Sequence, residues 1–198
     1  MNYSKMKKMT TYTLTSRVDI IAWLDKYQIE NYTLVADAKY GYVVDIEGDV
    51  DISEKKLTHI PIQFGRVSGD FYCYNNQLTS LGGSPKSVGG SFYCNGNQLT
   101  SLLGCPTSVG GNFYCSDNKL TSLEGCPTSV GGGFYCDNNQ ITSLEGSLNS
   151  VGGGFYCRDN KLISLKGGPT SVGEDFSCSY NQLTNLLGGP AAPQTPSG

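Results

Sequence analysis

From Val50 onward, hydrophobic and polar residues recur along the chain with a period of 21 residues. The triplet Phe-Tyr-Cys begins at Phe71, Phe92, Phe113, Phe134 and Phe155, and a related Phe-Ser-Cys begins at Phe176. Leucine or isoleucine and valine keep fixed places after each triplet, and polar residues fill the positions between them. A constant period of this length predicts a repeat protein in which each unit forms one coil that stacks on its neighbour.

Each Phe-Tyr-Cys triplet is predicted to be a short strand. In an extended segment successive side chains point to opposite sides, so phenylalanine and cysteine face the core while tyrosine faces out. Stacked coils then form a parallel sheet with one buried face. Because 21 residues leave little room for a full helix, we expect turns and a 3₁₀ step on the return side.

The repeats divide the chain into a cap, a solenoid and a tail. The segment VDISEKKLTHIPIQFGRVSGD fits the same phase as a degenerate first unit, with Leu57, Ile60 and Val67 at hydrophobic places. Seven units are therefore expected, starting at residues 50, 71, 92, 113, 134, 155 and 176, with the last one truncated. The predicted domains are a cap at 1–49, a solenoid at 50–189 and a disordered tail at 190–198.

Asparagine recurs at one place in the six units from residue 71 onward, and paired glycines recur in the four units that start at residues 71, 92, 113 and 134. The asparagines form a predicted structural ladder, in which side-chain amides satisfy backbone groups where the chain leaves each strand. They are Asn76, Asn97, Asn118, Asn139, Asn160 and Asn181. The glycine pairs, such as Gly89-Gly90 and Gly110-Gly111, predict a tight bend that a side chain would obstruct.

The unit F-x-C-x-x-N-x-L-x-x-L resembles the leucine-rich repeat signature L-x-L-x-x-N/C-x-L over about 140 residues. Its short length and the proline near its end, as at Pro106 and Pro127, are similar to the bacterial and phage form of that repeat. It differs from the version in secreted bacterial effectors by its Val-Gly-Gly segment and by the lack of a paired Leu-Pro. The resemblance implies a mainly β leucine-rich repeat solenoid of about seven coils whose sheet binds proteins.

The residues before the repeats predict a helix and a β-hairpin that cap the first coil. Ser16 followed by Asp19 is a capping-box pattern, and it opens a helix of about eleven residues. The apolar face of this helix holds Ile20, Ile21, Leu24 and Tyr27. Alternating polar and apolar residues around 38–41 predict the hairpin, and the cap is expected to bury Trp23.

The opposite end of the solenoid has no predicted helix to cover it. Glu174 and Asp175 replace the usual glycines and Ser177 replaces tyrosine, as in sheet edges that resist strand addition. An edge that stays uncovered is also a place where another strand adds. An alternative function follows: a self-assembling structural protein, or homodimer, that pairs through its C-terminal sheet edge.

Composition and charge exclude several function classes. The formal net charge is −3, and from Phe71 onward only five lysines or arginines occur, so we expect neither nucleic-acid nor membrane binding. No apolar run is long enough to span a membrane, and no hydrophobic stretch follows the first lysines as in a signal peptide. The expected location is the cytoplasm, which is the host cytoplasm if a phage encodes the protein.

The cysteines are predicted to be structural. Six occupy the inward place of the repeat, Cys105 and Cys126 lie one unit apart, and no Cys-x-x-Cys occurs. Buried free thiols in a reducing compartment are therefore expected, rather than disulfides or a zinc site. With His59 as the single histidine and no nucleophile, base and orienting group to name, we predict no catalytic residue, metal or cofactor, and no enzymatic activity.

The outward tyrosines are the candidate binding site. A column of them can stabilise neighbouring coils by stacking, or it can present rigid side chains with hydroxyls to a partner. Two columns beside it vary between units: Tyr74, Asn95, Ser116, Asp137, Arg158 and Asn75, Gly96, Asp117, Asn138, Asp159. The predicted protein-binding residues are Tyr72, Tyr74, Tyr93, Tyr114, Asp117, Tyr135, Asp137, Tyr156, Arg158 and Asp159.

The predicted function is a non-enzymatic protein-binding module with a bacterial protein as its partner, and a phage-encoded inhibitor of a host protein is its specific form. A third hypothesis concerns an array of hydroxyls from Thr79-Ser80 to Thr142-Ser143, which could bind ice or carbohydrate. This array is interrupted at Ile163. We expect its residues to satisfy turn backbone instead.

Overall fold

The computed structural model describes residues 13–190, so most of the predicted tail, residues 191–198, lies outside the described residues. Near the N-terminus, helix α1 spans Arg17–Lys26, and strands β1 (Tyr32–Asp37) and β2 (Gly41–Ile46) form a hairpin. Strand β4 spans Gln63–Val67. All other strands are two residues long and fall into two sets, one at the Phe-Tyr places and one at the Ser-Val places of the repeat.

The first set makes up the sheet that the sequence analysis predicts. It comprises β3 (Val50–Asp51), β5 (Phe71–Tyr72), β7 (Phe92–Tyr93), β9 (Phe113–Tyr114), β11 (Phe134–Tyr135), β13 (Phe155–Tyr156) and β15 (Phe176–Ser177). These seven strands are parallel and pair in chain order, always with the residue 21 positions away. The protein is thus a mainly β solenoid of about six turns, which confirms the predicted architecture.

A second parallel ladder runs along the return side, where turns and a 3₁₀ step were expected. It comprises β6 (Ser87–Val88), β8 (Ser108–Val109), β10 (Ser129–Val130), β12 (Ser150–Val151) and β14 (Ser171–Val172). Strands β6, β8 and β10 extend the sheet of β1, β2 and β4, whereas β12 and β14 pair with each other. Within residues 13–190 there is no 3₁₀ helix. Each valine is buried while its serine is partly or fully exposed, which is the alternation of a very short strand.

The core is a set of hydrophobic columns that run along the solenoid. In the five coils that start at residues 71, 92, 113, 134 and 155, phenylalanine, cysteine, two leucines or isoleucines and valine are almost completely buried and form one cluster with residues of the cap. From Phe71 to Phe176 the phenylalanine rings stack on one another with centroids 5.1–5.7 Å apart. One continuous core therefore joins all the coils.

Glycine permits the close approach of consecutive coils at the bend before each strand. A Cβ atom on Gly110 would fall on the carbonyl oxygen of Gly89 in the preceding coil, and Gly131 stands in the same relation to Gly110. Gly110 also donates its backbone N–H to the carbonyl of Val88. The first glycine of each pair is therefore required because the backbones of two consecutive coils lie so close together, and not because its φ angle is unusual.

The asparagine side chains connect the coils where the chain leaves the first sheet. Asn97 accepts a hydrogen bond at Oδ1 from the N–H of Leu78, and its Nδ2 donates to the carbonyls of Cys73 and Cys94 at 3.0 and 3.1 Å. The same pattern recurs down to Asn181, which accepts from Leu162 and donates to Cys157 and Cys178. Each amide thus satisfies backbone groups of its own coil and of the coil before it.

Within the described residues, the helix and the hairpin predicted for the cap are present, whereas Trp23, which was expected to be buried, is not fully so. Ser16 is the N-cap of α1, its Oγ accepts from the N–H of Asp19 at 3.3 Å, and Ile20 and Leu24 are fully buried. The hairpin closes where Asp37 pairs with Gly41. Trp23 is only half-buried and packs edge-on against the ring of Phe64.

The cap also continues the solenoid rather than only covering it. Strand β2 pairs in parallel with β4, so Ile46, Val67 and Val88 occupy successive places of the same ladder. The second strand of the hairpin therefore acts as the first return strand of the repeating structure.

Replacing Gly110 by alanine is expected to lower the free energy of unfolding by about 3 kcal/mol, because the new Cβ would collide with the Gly89 carbonyl. Gly82→Ala is a matched control, since its nearest neighbour would be Ser80 Oγ at 3.7 Å, and it should change stability by less than about 0.5 kcal/mol. Urea denaturation followed by circular dichroism measures both. Equal stability of the two variants would contradict the proposed packing.

Asn97→Ala is expected to destabilise the protein by at least about 2 kcal/mol, because the N–H of Leu78 and two buried carbonyls lose their partner. Asn95→Ala in the same coil is the control. The Asn95 side chain makes no hydrogen bond to any of residues 13–190, so its loss should cost less than about 0.5 kcal/mol. Thermal and urea unfolding of both variants test the ladder, and an unchanged midpoint for Asn97→Ala would refute it.

Candidate functional site

The five outward tyrosines form one in-register column on the first sheet. The rings of Tyr72, Tyr93, Tyr114, Tyr135 and Tyr156 stack with centroids 4.5–4.7 Å apart and interplanar angles of 5–19°. This distance is close to the spacing of adjacent strands. The ring faces therefore cover one another, and the column offers solvent mainly ring edges and hydroxyl groups.

Polar neighbours fix some of these hydroxyls. Tyr72 donates from its hydroxyl to Asp70 Oδ2 at 2.7 Å, and Asn112 Nδ2 donates to the hydroxyl of Tyr114 at 3.0 Å. The hydrogen bond to Asp70 and partial burial raise the pKa of Tyr72, and burial raises the pKa of Tyr93. These phenols therefore stay neutral at physiological pH and present hydrogen-bonding groups rather than charges.

Bare backbone lies beneath the last two rings of the column. A Cβ on Gly133 would lie 2.9 Å from Cε2 of Tyr135, and one on Gly154 would lie 2.6 Å from Cε2 of Tyr156. The glycines that precede these strands therefore allow the rings to lie flat along the sheet. Tyr74 enlarges the other end of the column, where its ring meets Tyr72 edge-on at 6.3 Å.

One of the two variable columns is restricted by the backbone. Its members have φ angles of +50 to +65°, in the left-handed region that glycine, asparagine and aspartate tolerate best. They are Asn75, Gly96, Asp117, Asn138 and Asp159. Asp117 and Asp159 therefore suit the backbone conformation at this place. Glu54 in the first coil and Tyr180 in the last adopt the same conformation, with φ angles of 57° and 56°.

The other variable column is free of that restriction. Here Asp137 Oδ1 accepts from the backbone N–H of Arg158 at 2.8 Å and lies 3.4 Å from its Nε. Half of the Arg158 side chain is exposed, so this ion pair contributes little to stability. The residue types of this column are therefore not set by a left-handed backbone.

A further column bridges coils just before the strands, and the sequence analysis missed it. Asp49 accepts from the N–H of Asp70, Asp70 from Ser91, Ser91 from Asn112, and Asn112 from Gly133, at 2.6–3.0 Å. Asp70 thus binds both the next coil and the hydroxyl of Tyr72. The polar residues two places before Tyr72, Tyr93 and Tyr114 were the available signal.

We define the tyrosine face as the tyrosine column with its flanking positions, and this face is acidic. Its residues are 49–54, 70–75, 91–96, 112–117, 133–138, 154–159 and 175–180. Eight carboxylates lie among them: Asp49, Asp51, Glu54, Asp70, Asp117, Asp137, Asp159 and Asp175. Arg158 is the single basic residue. The face therefore has a net negative charge.

All eight cysteines are free thiols. Five of them are completely buried in the core, whereas Cys105, Cys126 and Cys178 are half-buried. Burial raises the pKa of Cys126 to about 11 and raises that of the five core thiols as well. Across residues 13–190, no three His, Cys, Asp or Glu side chains converge in a way that could hold a metal ion.

The hydroxyl array lies on a separate, exposed side of the coils. The Oγ atoms of Ser101 and Ser143 each accept from a backbone N–H two residues later at 3.1 Å. Ile163, which interrupts the array, is 63% exposed. The serines therefore satisfy turn backbone, while the threonines face solvent.

Comparison with known protein families, with curated proteins and with solved structures finds no match to this chain. The helix α1 is too short to cross a membrane, and no other helix occurs in the described range 13–190.

Proposed function

We propose that the protein is a non-enzymatic protein-binding module that uses its tyrosine face. Five tyrosines gathered into a single column are the observation that carries this proposal. Tyrosine combines a rigid, partly apolar body with a hydroxyl, and it loses little conformational entropy on binding because stacking already holds it. Stacking accounts for the position of the rings, and the exposed edges and hydroxyls are what a partner contacts.

The proposed partner is a bacterial protein. This part of the proposal rests on the resemblance of the unit to the short leucine-rich repeats of bacteria and phages, whose sheets bind proteins. In its specific form, the protein is a phage-encoded inhibitor of a host protein and works in the host cytoplasm. The eight free thiols accord with a reducing compartment.

Capture from a bacterial lysate tests the face. The tagged protein should retain a specific partner, identified by mass spectrometry, that the double variant Tyr114→Ala/Tyr135→Ala loses at least about tenfold, as expected when binding hot spots are truncated. Thr100→Ala/Thr121→Ala is the matched control on another exposed side of the same coils and should retain the partner. Circular dichroism checks that both variants fold. Unchanged capture by the tyrosine variant would exclude the proposed face.

A second candidate function is self-assembly through the C-terminal sheet edge. Strand β15 is the last strand of its sheet, and Phe176, Cys178 and Leu183 in that coil are only partly buried. Beside them Tyr180, Leu186 and Leu187 are 70–78% exposed. An open strand edge next to apolar side chains favours pairing between two copies of the chain.

Light scattering over about a hundredfold range of concentration tests self-assembly, because a dimer dissociates on dilution. If the edge pairs two chains, Leu187→Asp should shift the equilibrium toward monomer, whereas Leu103→Asp, at an equally exposed leucine of a central coil, should not. A monomer at every concentration would eliminate this alternative.

A further inference from the structure

The tyrosine column ends at Tyr156, and the outer face of this last ring is open. Each earlier tyrosine has the next ring 4.5–4.7 Å away on its C-terminal side. Tyr156 instead pairs in register with Ser177 of β15, and no aromatic ring of residues 13–190 stacks on it from that side. Ser177 therefore leaves room for one planar group, and we call this place the open position.

A hydrogen-bond acceptor already stands beside the open position. In the first coil of the column, Asp70 precedes Tyr72 by two residues and accepts a hydrogen bond from the Tyr72 hydroxyl at 2.7 Å. Asp175 precedes Ser177 by two residues, so it has the same place in its coil. A planar group at the open position would thus have the Asp175 carboxylate beside it as a hydrogen-bond acceptor, as the Tyr72 hydroxyl has Asp70 at the other end of the column.

A second carboxylate, that of Glu174, lies at the same end of the column. Burial is the main cause that raises the pKa of Tyr135, and the negative charge of Glu174 makes a small contribution in the same direction. The nearest basic residue of the face, Arg158, is already paired with Asp137. Glu174 and Asp175 are both exposed and pair with no basic group among residues 13–190.

These charges distinguish between the groups that could stack on Tyr156. A phenol needs one acceptor and would leave two negative charges unbalanced. A lysine ammonium is charged, but it is not planar and therefore cannot stack on the ring of Tyr156. A guanidinium is planar, stacks on aromatic faces and donates parallel hydrogen bonds to carboxylates, so it satisfies both requirements.

We propose that the open position binds an arginine side chain of the partner protein, with its guanidinium stacked on Tyr156 and hydrogen-bonded to Asp175 and Glu174. The inference rests on the proposed function, because it names the partner chemistry that the tyrosine face accepts. It places an anchoring contact at the C-terminal end of the column, where a ring face is available, rather than in the middle, where the faces are covered.

An NMR titration of the full chain with acetyl-arginine methylamide at low ionic strength tests the open position. Shifts should concentrate at Tyr156, Asp175 and Ser177. The citrulline analogue keeps the plane without the charge, and the lysine analogue keeps the charge without the plane, so each should bind about two- to fivefold more weakly. Equal binding of the three compounds, or shifts centred elsewhere, would overturn the proposal.

Ser177→Tyr provides a variant that fills the open position with the chain's own ring. It should fold, because it restores the residue found in five other coils, and it should lose the arginine-induced shifts at Tyr156. Ser177→Ala leaves the position open and should keep them. Arginine-induced shifts at Tyr156 that persist in Ser177→Tyr would refute the site.

The two proposals fail separately. If capture from lysate needs Tyr114 and Tyr135 but arginine does not shift Tyr156, the proposed function stands and the arginine site is wrong. If arginine binds beside Tyr156 but capture is unchanged in the double tyrosine variant, the site stands and the tyrosine column is not the protein-binding face.

Discussion

Consecutive coils of this solenoid stack in register, with each strand residue opposite the residue 21 positions away, and they hydrogen-bond to each other through their backbones. Because the spacing never changes, a side chain that suits one coil suits the same place in the others. Glycine before each strand lets the backbones of two coils approach closely. Asparagine after the strand supplies hydrogen bonds to backbone groups that no longer have a partner in the sheet. Core packing, the tyrosine column and the bridging polar residues all follow from this regular stacking.

The same regularity shapes what a partner can contact. Tyrosines at one strand spacing must stack, so their faces serve the stability of the solenoid, and in the proposed function their edges contact the partner. The acidic flanks come from a different source, since Asp117 and Asp159 suit a left-handed backbone and Asp70 bridges two coils. Residues with structural roles thereby contribute part of the negative charge of the tyrosine face.

Much of the fold was predictable because it depends on local signals that repeat. The strand at Phe71, the N-cap at Ser16 and the hairpin turn each have a pattern that identifies them. The Ser-Val strands were missed because a two-residue alternation is too short to recognise. For the candidate site, the column itself was predictable, but the double role of Asp70 depends on which coil lies beside it, and the open ring face of Tyr156 depends on the stacking geometry.

The asparagine ladder has a direction. Each amide oxygen accepts an N–H from the preceding coil, so Asn181 secures Leu162, while Leu183 has no equivalent amide following it within residues 13–190. The helix and hairpin pack over the other end. We therefore expect the native structure to open first at the last coil, which carries Ser177, and then toward the N-terminus one unit at a time.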